Sequence, residues 1–209
     1  MFIPLVDTLR CVRAHEDTWL VASIDRAEDR DIIEGTLGCP SCLAEYPIHG
    51  GVVQFDARVA RPAYRQPSES DVVRLAAALD LVDPRMTAVL HGSWGAYAPV
   101  IRGLSPVSLL LVNPPEGIAS GDGVSIVLSA TAPIATASVN AVAVDDAADG
   151  PMIASLTRAL RGGGRMVAPV GMALPADLIE ITRDHELWVA RLDAATTVSA
   201  PILPTRRSR

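Results

Sequence analysis

All three cysteines of this 209-residue chain, Cys11, Cys39 and Cys42, fall within its first 42 residues. Cys39-Pro-Ser-Cys42 has the spacing that lets one tight turn present two sulfurs to a single ion. Cys11-Val-Arg-Ala-His15 supplies a second pair, and the intervening stretch is long enough for a hairpin. Residues 18–24 and 31–37 alternate like its two strands. An odd number of cysteines, with no basic start and apolar leader before them, points to metal binding and away from a disulfide framework. The expected ligands are Cys11, His15, Cys39 and Cys42, with His49 as an alternative fourth. Four protein ligands leave no position for water, so the expected role of a zinc ion is structural.

Residues 57–69 interrupt this pattern with two prolines and little apolar periodicity, and read as a linker. The 1–56 unit before it is too small to rely on an apolar core alone. Beyond it, helical and strand patterns alternate. Residues 72–81 carry a helical stripe behind a cap at Ser68. Apolar runs at 87–91, 107–112, 124–128, 139–144, 165–170 and 186–192 read as strands. Helices are expected at 97–104, at 152–160 (stopped by Gly162, Gly163 and Gly164) and at 176–183. Residues 113–116, Asn-Pro-Pro-Glu, read as a strand-ending turn, and Asp145 and Asp146 as a solvated strand end or catalytic acids. The expected fold class is α/β: a small N-terminal zinc-ribbon-like β domain, then a Rossmann-like, mostly parallel doubly wound sheet over 70–209.

Composition narrows the function. Hydrophobic residues make up 49% of the chain and the formal net charge is −6. An acidic chain is a poor non-specific ligand for nucleic acid, because phosphate neutralisation dominates there; RNA binding is therefore the least favoured role, despite the basic residues near 204–209. The uncharged stretch 123–143 matches a membrane span in length, but its proline, asparagine and hydroxyl residues fit two buried strands better. No membrane association is expected, and the expected location is the cytoplasm.

The strings LVDTLRC, CPSC and YPIHGGVVQF resemble the zinc-ribbon activator subunit of tRNA, rRNA and release-factor methyltransferases, over residues 1–56. His15 departs from that family, which usually has a second cysteine there. The resemblance implies a non-enzymatic unit that stabilises a catalytic partner, here the rest of the chain.

From residue 70 the order of elements is similar to class I methyltransferases that use S-adenosylmethionine. The strings TAVLHGSWGAY, LSATAPIATASVNAVAV and LTRALRGGGRMVAPVG carry this resemblance. It implies a cofactor site at Gly92, Gly95 and Asn113. Three acids expected by the same resemblance are replaced: His91 on the first strand, Asn113 at the ribose position and Ser129 beside the adenine. Trp94 and Tyr97 add bulk to the glycine loop. The reading preferred is a methyltransferase-like pseudoenzyme, without catalytic residues, that acts by binding a protein partner or a second copy of itself. The alternative is an active S-adenosylmethionine-dependent methyltransferase with a divergent cofactor site. Another expectation is that His91 and Trp94 pack into the vacant site; lining a pocket for a different ligand is the rival.

Overall fold

The computed structural model describes residues 1–193, and the basic run 204–209 lies outside them. The N-terminal part contributes a short helix, α1 (Ile3–Val6), and an antiparallel meander of β1 (Val21–Glu28), β2 (Asp31–Gly38), β3 (Glu45–His49) and β4 (Val52–Gln54). The remainder runs α2 (Glu69–Leu79), β5 (Thr87–His91), a 3-10 turn over Gly92–Tyr97, α3 (Ala98–Leu104), β6 (Ser108–Val112) and β7 (Val124–Leu128). It continues with β8 (Val139–Ala143), α4 (Gly150–Ala159), β9 (Leu160–Pro169), β10 (Leu178–Arg183) and β11 (Leu187–Leu192). No helix among the described residues is long and apolar enough to cross a membrane.

All the strands join one sheet in the order β1-β2-β3-β4-β7-β6-β5-β8-β9-β11-β10. From β7 to β9 neighbouring strands are parallel, and β11 runs antiparallel to both β9 and β10. The chain moves outward from β5 to β6 and β7, then returns to lay β8 on the other side of β5. The strand order therefore reverses at β5, as in doubly wound α/β folds, whose ligands bind at the carboxyl ends of the strands there.

The sheet crosses the sequence boundary at residue 56, because β4 pairs in parallel with β7 through Val52–Ile126, Val53–Val127 and Gln54–Leu128. Strand side chains alternate between two faces. Leu90, Leu109, Leu111, Ile126 and Ala143 pack with Val72, Leu75 and Leu79 of α2 and Ile101 of α3. Val89, Leu110, Val112, Val127 and Val142 face the opposite way, into a cluster shared by Leu156 of α4 and by Met1, Leu5 and Leu9. No helix links β6 to β7 or β7 to β8, so the N-terminal segment covers part of the sheet that such helices would cover. Its backbone is pinned there: Arg10 N donates to Pro133 O, and Ala135 N to Thr8 O.

Two expected elements differ. Residues 176–183 form no helix; Leu178–Arg183 is an edge strand against β11, in keeping with β-branched Ile179, Ile181 and Thr182. The three glycines do not lie between helix and strand. α4 ends at Ala159, and β9 absorbs them through a register shift beside Asn140, with Gly163 at φ 79°. The cap at Ser68 forms, its hydroxyl accepting from Asp71 N at 3.2 Å.

Candidate functional site

Two sites follow from this architecture. In the first, Cys11, His15, Cys39 and Cys42 converge, with all four ligand atoms within 4.8 Å of one another. Cys39 follows the end of β2, and the knuckle closes when Leu43 N donates to Cys39 O and Cys39 N to Ala44 O. Leu43 takes a left-handed φ of 58° to complete the turn. Cys11 Sγ lies 3.7 Å from Cys42 Sγ, and Cys39 Sγ lies 3.5 Å from His15 Nε2. Tetrahedral zinc, with bonds of about 2.3 Å to sulfur and about 2.0 Å to nitrogen, needs edges of about 3.8 and 3.5 Å. The donor set therefore fits zinc in chemistry and spacing.

The surroundings prepare these ligands. His15 Nδ1 donates to Glu16 O at 2.7 Å, which leaves Nε2 for the metal. Burial works against the Cys11 thiolate, but hydrogen bonds led by the Tyr46 hydroxyl, 3.0 Å away, outweigh it and bring the thiol to about 7. Zinc needs that thiolate at neutral pH. His49 lies elsewhere, exposed and paired with Glu34 at 3.1 Å, so His15 is the histidine in this cluster.

The second site lies at the carboxyl ends of β5, β6 and β7, beside the strand reversal. Asp145, just beyond β8, is 4% exposed, so it is not the solvated strand end that the sequence suggested. His91 Nδ1 donates to Asp145 Oδ1 at 2.9 Å, and Ser93 N donates to Asp145 Oδ2 at 2.6 Å. Burial pushes the Asp145 carboxyl up, but these hydrogen bonds overcome it and hold the group below its ordinary value. Trp94 is packed, its Nε1 donating to Val144 O at 3.0 Å and its ring leaning on Tyr97, whereas His91 borders the cavity described below and does not fill it.

Internal packing accounts for both loop glycines. A Cβ on Gly92, at φ 60°, would lie 2.0 Å from Asp145 Oδ2; one on Gly95 would lie 2.4 Å from Pro114 Cβ. Asn113 sits just past β6 at φ 53°, where residues 113–116 turn away from the strand. Its amide is committed, because Nδ2 donates to Ser129 O at 2.8 Å and Oδ1 accepts from Ser129 N at 2.9 Å.

Residues 58–62 cross this end of the sheet. Arg61 Nε donates to Pro114 O at 2.7 Å, and its Nη2 to Pro115 O at 2.8 Å. Between this strap and the strand ends remains a cavity of about 260 Å³, bordered by His91, Gly92, Asn113 and Ser129. Neither the strap nor Asp145 as the partner of His91 was legible in the sequence. A larger, mainly apolar groove of about 550 Å³ lies between α4 and residues 173–177 and contains none of these groups.

No family model matches the chain, and no curated protein is significantly similar to it. Among solved structures, a geranyl diphosphate methyltransferase is similar at 21% identity and a TM-score of 0.41, covering 47% of this chain and 44% of that one. Phosphoethanolamine N-methyltransferase 2 of Haemonchus contortus is similar at 15% identity and a TM-score of 0.43, covering 49% and 28%. The MccD protein is similar at 9% identity and a TM-score of 0.43, covering 50% and 54%. The chain thus spans about half or less of the length of each.

Proposed function

We propose that this chain is a zinc-bound, methyltransferase-like protein that works by binding a protein partner or a second copy of itself, not by transferring methyl groups. The observation that carries the reading is the strap across the cleft. The strap at 58–62 lies over the strand ends where a doubly wound fold binds its ligand. The remaining 260 Å³ is below the range of about 300–1,000 Å³ typical of ligand pockets. The residues beneath it do not fit S-adenosylmethionine. The Asn113 amide is turned onto Ser129 through both its nitrogen and its oxygen, a neutral group stands where the resemblance expects a carboxylate for the ribose hydroxyls, and Asp145 fills the space that Gly92 leaves open.

In this reading residues 1–56 form a zinc ribbon held by Cys11, His15, Cys39 and Cys42. The ion cross-links the two halves of the unit and performs no chemistry on a substrate. The resemblance to methyltransferase activators gives the ribbon a supporting role, and the β4–β7 pairing directs that support to its own sheet. Exposed Trp19, Val21 and Leu43 around the metal knuckle and the start of the outer strand β1 offer apolar surface to a partner.

The alternative, an active methyltransferase, draws on the alternating order of elements. Calorimetric titration of S-adenosylmethionine and S-adenosylhomocysteine into the zinc-loaded full chain separates the two. The expected result is no binding heat from either; micromolar affinity for either would establish the alternative. Light scattering of the same sample reports whether the chain self-associates.

A further inference from the structure

We infer that two adjoining cavities along α4 together bind a single-chain alkyl phosphate, with its head among Arg10, Arg13 and Arg158 and its chain in the apolar groove beyond Ala154. This goes beyond the binding role above and draws on no residue that borders the strapped cleft.

The first argument is adjacency. A polar cavity of about 310 Å³ is bordered by Arg10, Arg13 and Thr131. The apolar groove of about 550 Å³ is bordered by Ile153, Leu174 and Pro175. Ala154 and Arg158 border both. They lie four residues apart on α4 and so share one face of the helix. Ala154 is exposed and carries only a methyl group, which makes the ridge between the cavities low.

The second argument is charge. Arg74, Arg85, Arg165 and Arg183 form ion pairs, whereas Arg10, Arg13 and Arg158 form none among the described residues. Arg13 and Arg158 are exposed, so a ligand can reach them. Arg10 is buried and stacked on Trp19; its Nη1 donates to Leu9 O and Asp7 O, which fixes the guanidinium while leaving Nε and Nη2 uncommitted. Asp17, the carboxylate at this cavity, already accepts from Thr136 Oγ1 at 3.3 Å. Zinc held by three thiolates would add one negative charge beside it. The three guanidiniums still exceed these two charges, and a phosphate dianion matches them in charge and in hydrogen-bond geometry.

The groove sets the other end of the ligand. Its threonine hydroxyls are engaged within the protein, Thr136 Oγ1 with Asp17 and Thr157 Oγ1 with Ile153 O at 2.8 Å. Ile153, Leu174 and Pro175 are half-buried, so their apolar surface remains open to a chain. Asp177 borders the groove and not the polar cavity. Its charge repels an anionic head from the groove and directs it to the arginines. The volume of 550 Å³ falls within the range of about 300–1,000 Å³ typical of ligand pockets.

Octyl phosphate, kept below its micelle concentration, is the test probe, with inorganic phosphate and octanol as controls. Each is titrated into the isotopically labelled, zinc-loaded full chain, while nuclear magnetic resonance follows the amides of Arg13, Thr131, Ala154 and Leu174. Octyl phosphate is expected to shift the signals of both cavities saturably, and to bind at least about tenfold more tightly than either control. The double variant Arg13→Gln, Arg158→Gln changes two exposed side chains. It should weaken octyl phosphate by at least about tenfold and leave octanol unchanged. Ala154→Leu raises the ridge, and should weaken octyl phosphate while leaving inorganic phosphate unchanged. The proposal is overturned if inorganic phosphate binds as tightly as octyl phosphate, which would mean an adventitious ion only. It is equally overturned if octanol matches octyl phosphate, or if the folded double variant or Ala154→Leu binds it as the parent does.

Discussion

Asp145 occupies the space a side chain at Gly92 would need: its Oδ2 lies 2.0 Å from where a Cβ would sit. Gly92 also has φ 60°, a conformation other residues adopt at a cost. Gly92→Ala should therefore lower stability by about 2–3 kcal/mol, through backbone strain and displacement of a buried carboxylate. Gly103, in α3, has nothing within 4 Å of its Cβ position. Gly103→Ala should be neutral or stabilise by up to about 1 kcal/mol through helix propensity. Urea unfolding of both variants checks the contrast; equal effects would remove the packing explanation.

The carboxylate itself makes stability depend on pH. The folded-state value of Asp145 is lowered, so its contribution is present above the ordinary aspartate value of about 3.9 and is lost as pH falls through the folded value. Asp145→Asn should destabilise the chain at pH 7 by about 2–3 kcal/mol, because His91 and Ser93 N lose a charged acceptor. The difference between parent and variant should shrink steadily below about pH 4. Unfolding curves collected from pH 7 to pH 3 measure it, and a constant difference would mean that Asp145 is not ionised when folded.

How much of this was legible in the sequence depended on range. The hydrophobic runs placed β5 to β8 and β11 to within about a residue, because a buried strand announces itself locally, whereas β9 starts at Leu160, ahead of its expected start at Arg165, because glycines precede its apolar run. The metal cluster was legible too, since cysteine spacing is local within each pair. The Asp145–His91 bond joins residues 54 apart, and no periodicity links them. The strap read as part of a linker because the two prolines of residues 57–69 suppress regular structure; its anchorage depends on carbonyls 53 and 54 residues away. β4 has only three residues and finds β7 across more than 70, so nothing local revealed that the two units share a sheet.

The strap's anchorage is separately testable. Arg61 satisfies two carbonyls in a turn where prolines leave few donors. Arg61→Ala should lower stability by about 1–3 kcal/mol and raise cleavage by a non-specific protease within residues 57–67, leaving the rest of the digestion pattern unchanged. Mass spectrometry of the early fragments locates the cuts. Unchanged cleavage would show that the strap is held by other contacts.

Removing the zinc proposed at Cys11, His15, Cys39 and Cys42 tests whether the N-terminal unit and the rest of the sheet are one cooperative structure. Cys39, Tyr46 and Ile48 share a buried cluster with Leu110, Val127 and Leu156, so loosening the N-terminal unit exposes a core common to both parts. Chelation of the metal should therefore shift one thermal transition downward and leave no stable sheet domain behind. The loss is on the order of several kcal/mol, since binding energy at a structural site is folding energy. Cys39→Ser and Cys42→Ser should reproduce the shift and lower the zinc content, whereas His49→Ala should leave one ion per chain. Calorimetry with metal analysis reads both quantities. Two separated transitions after chelation would show that the N-terminal unit unfolds alone and that the β4–β7 pairing does not couple it to the rest of the sheet.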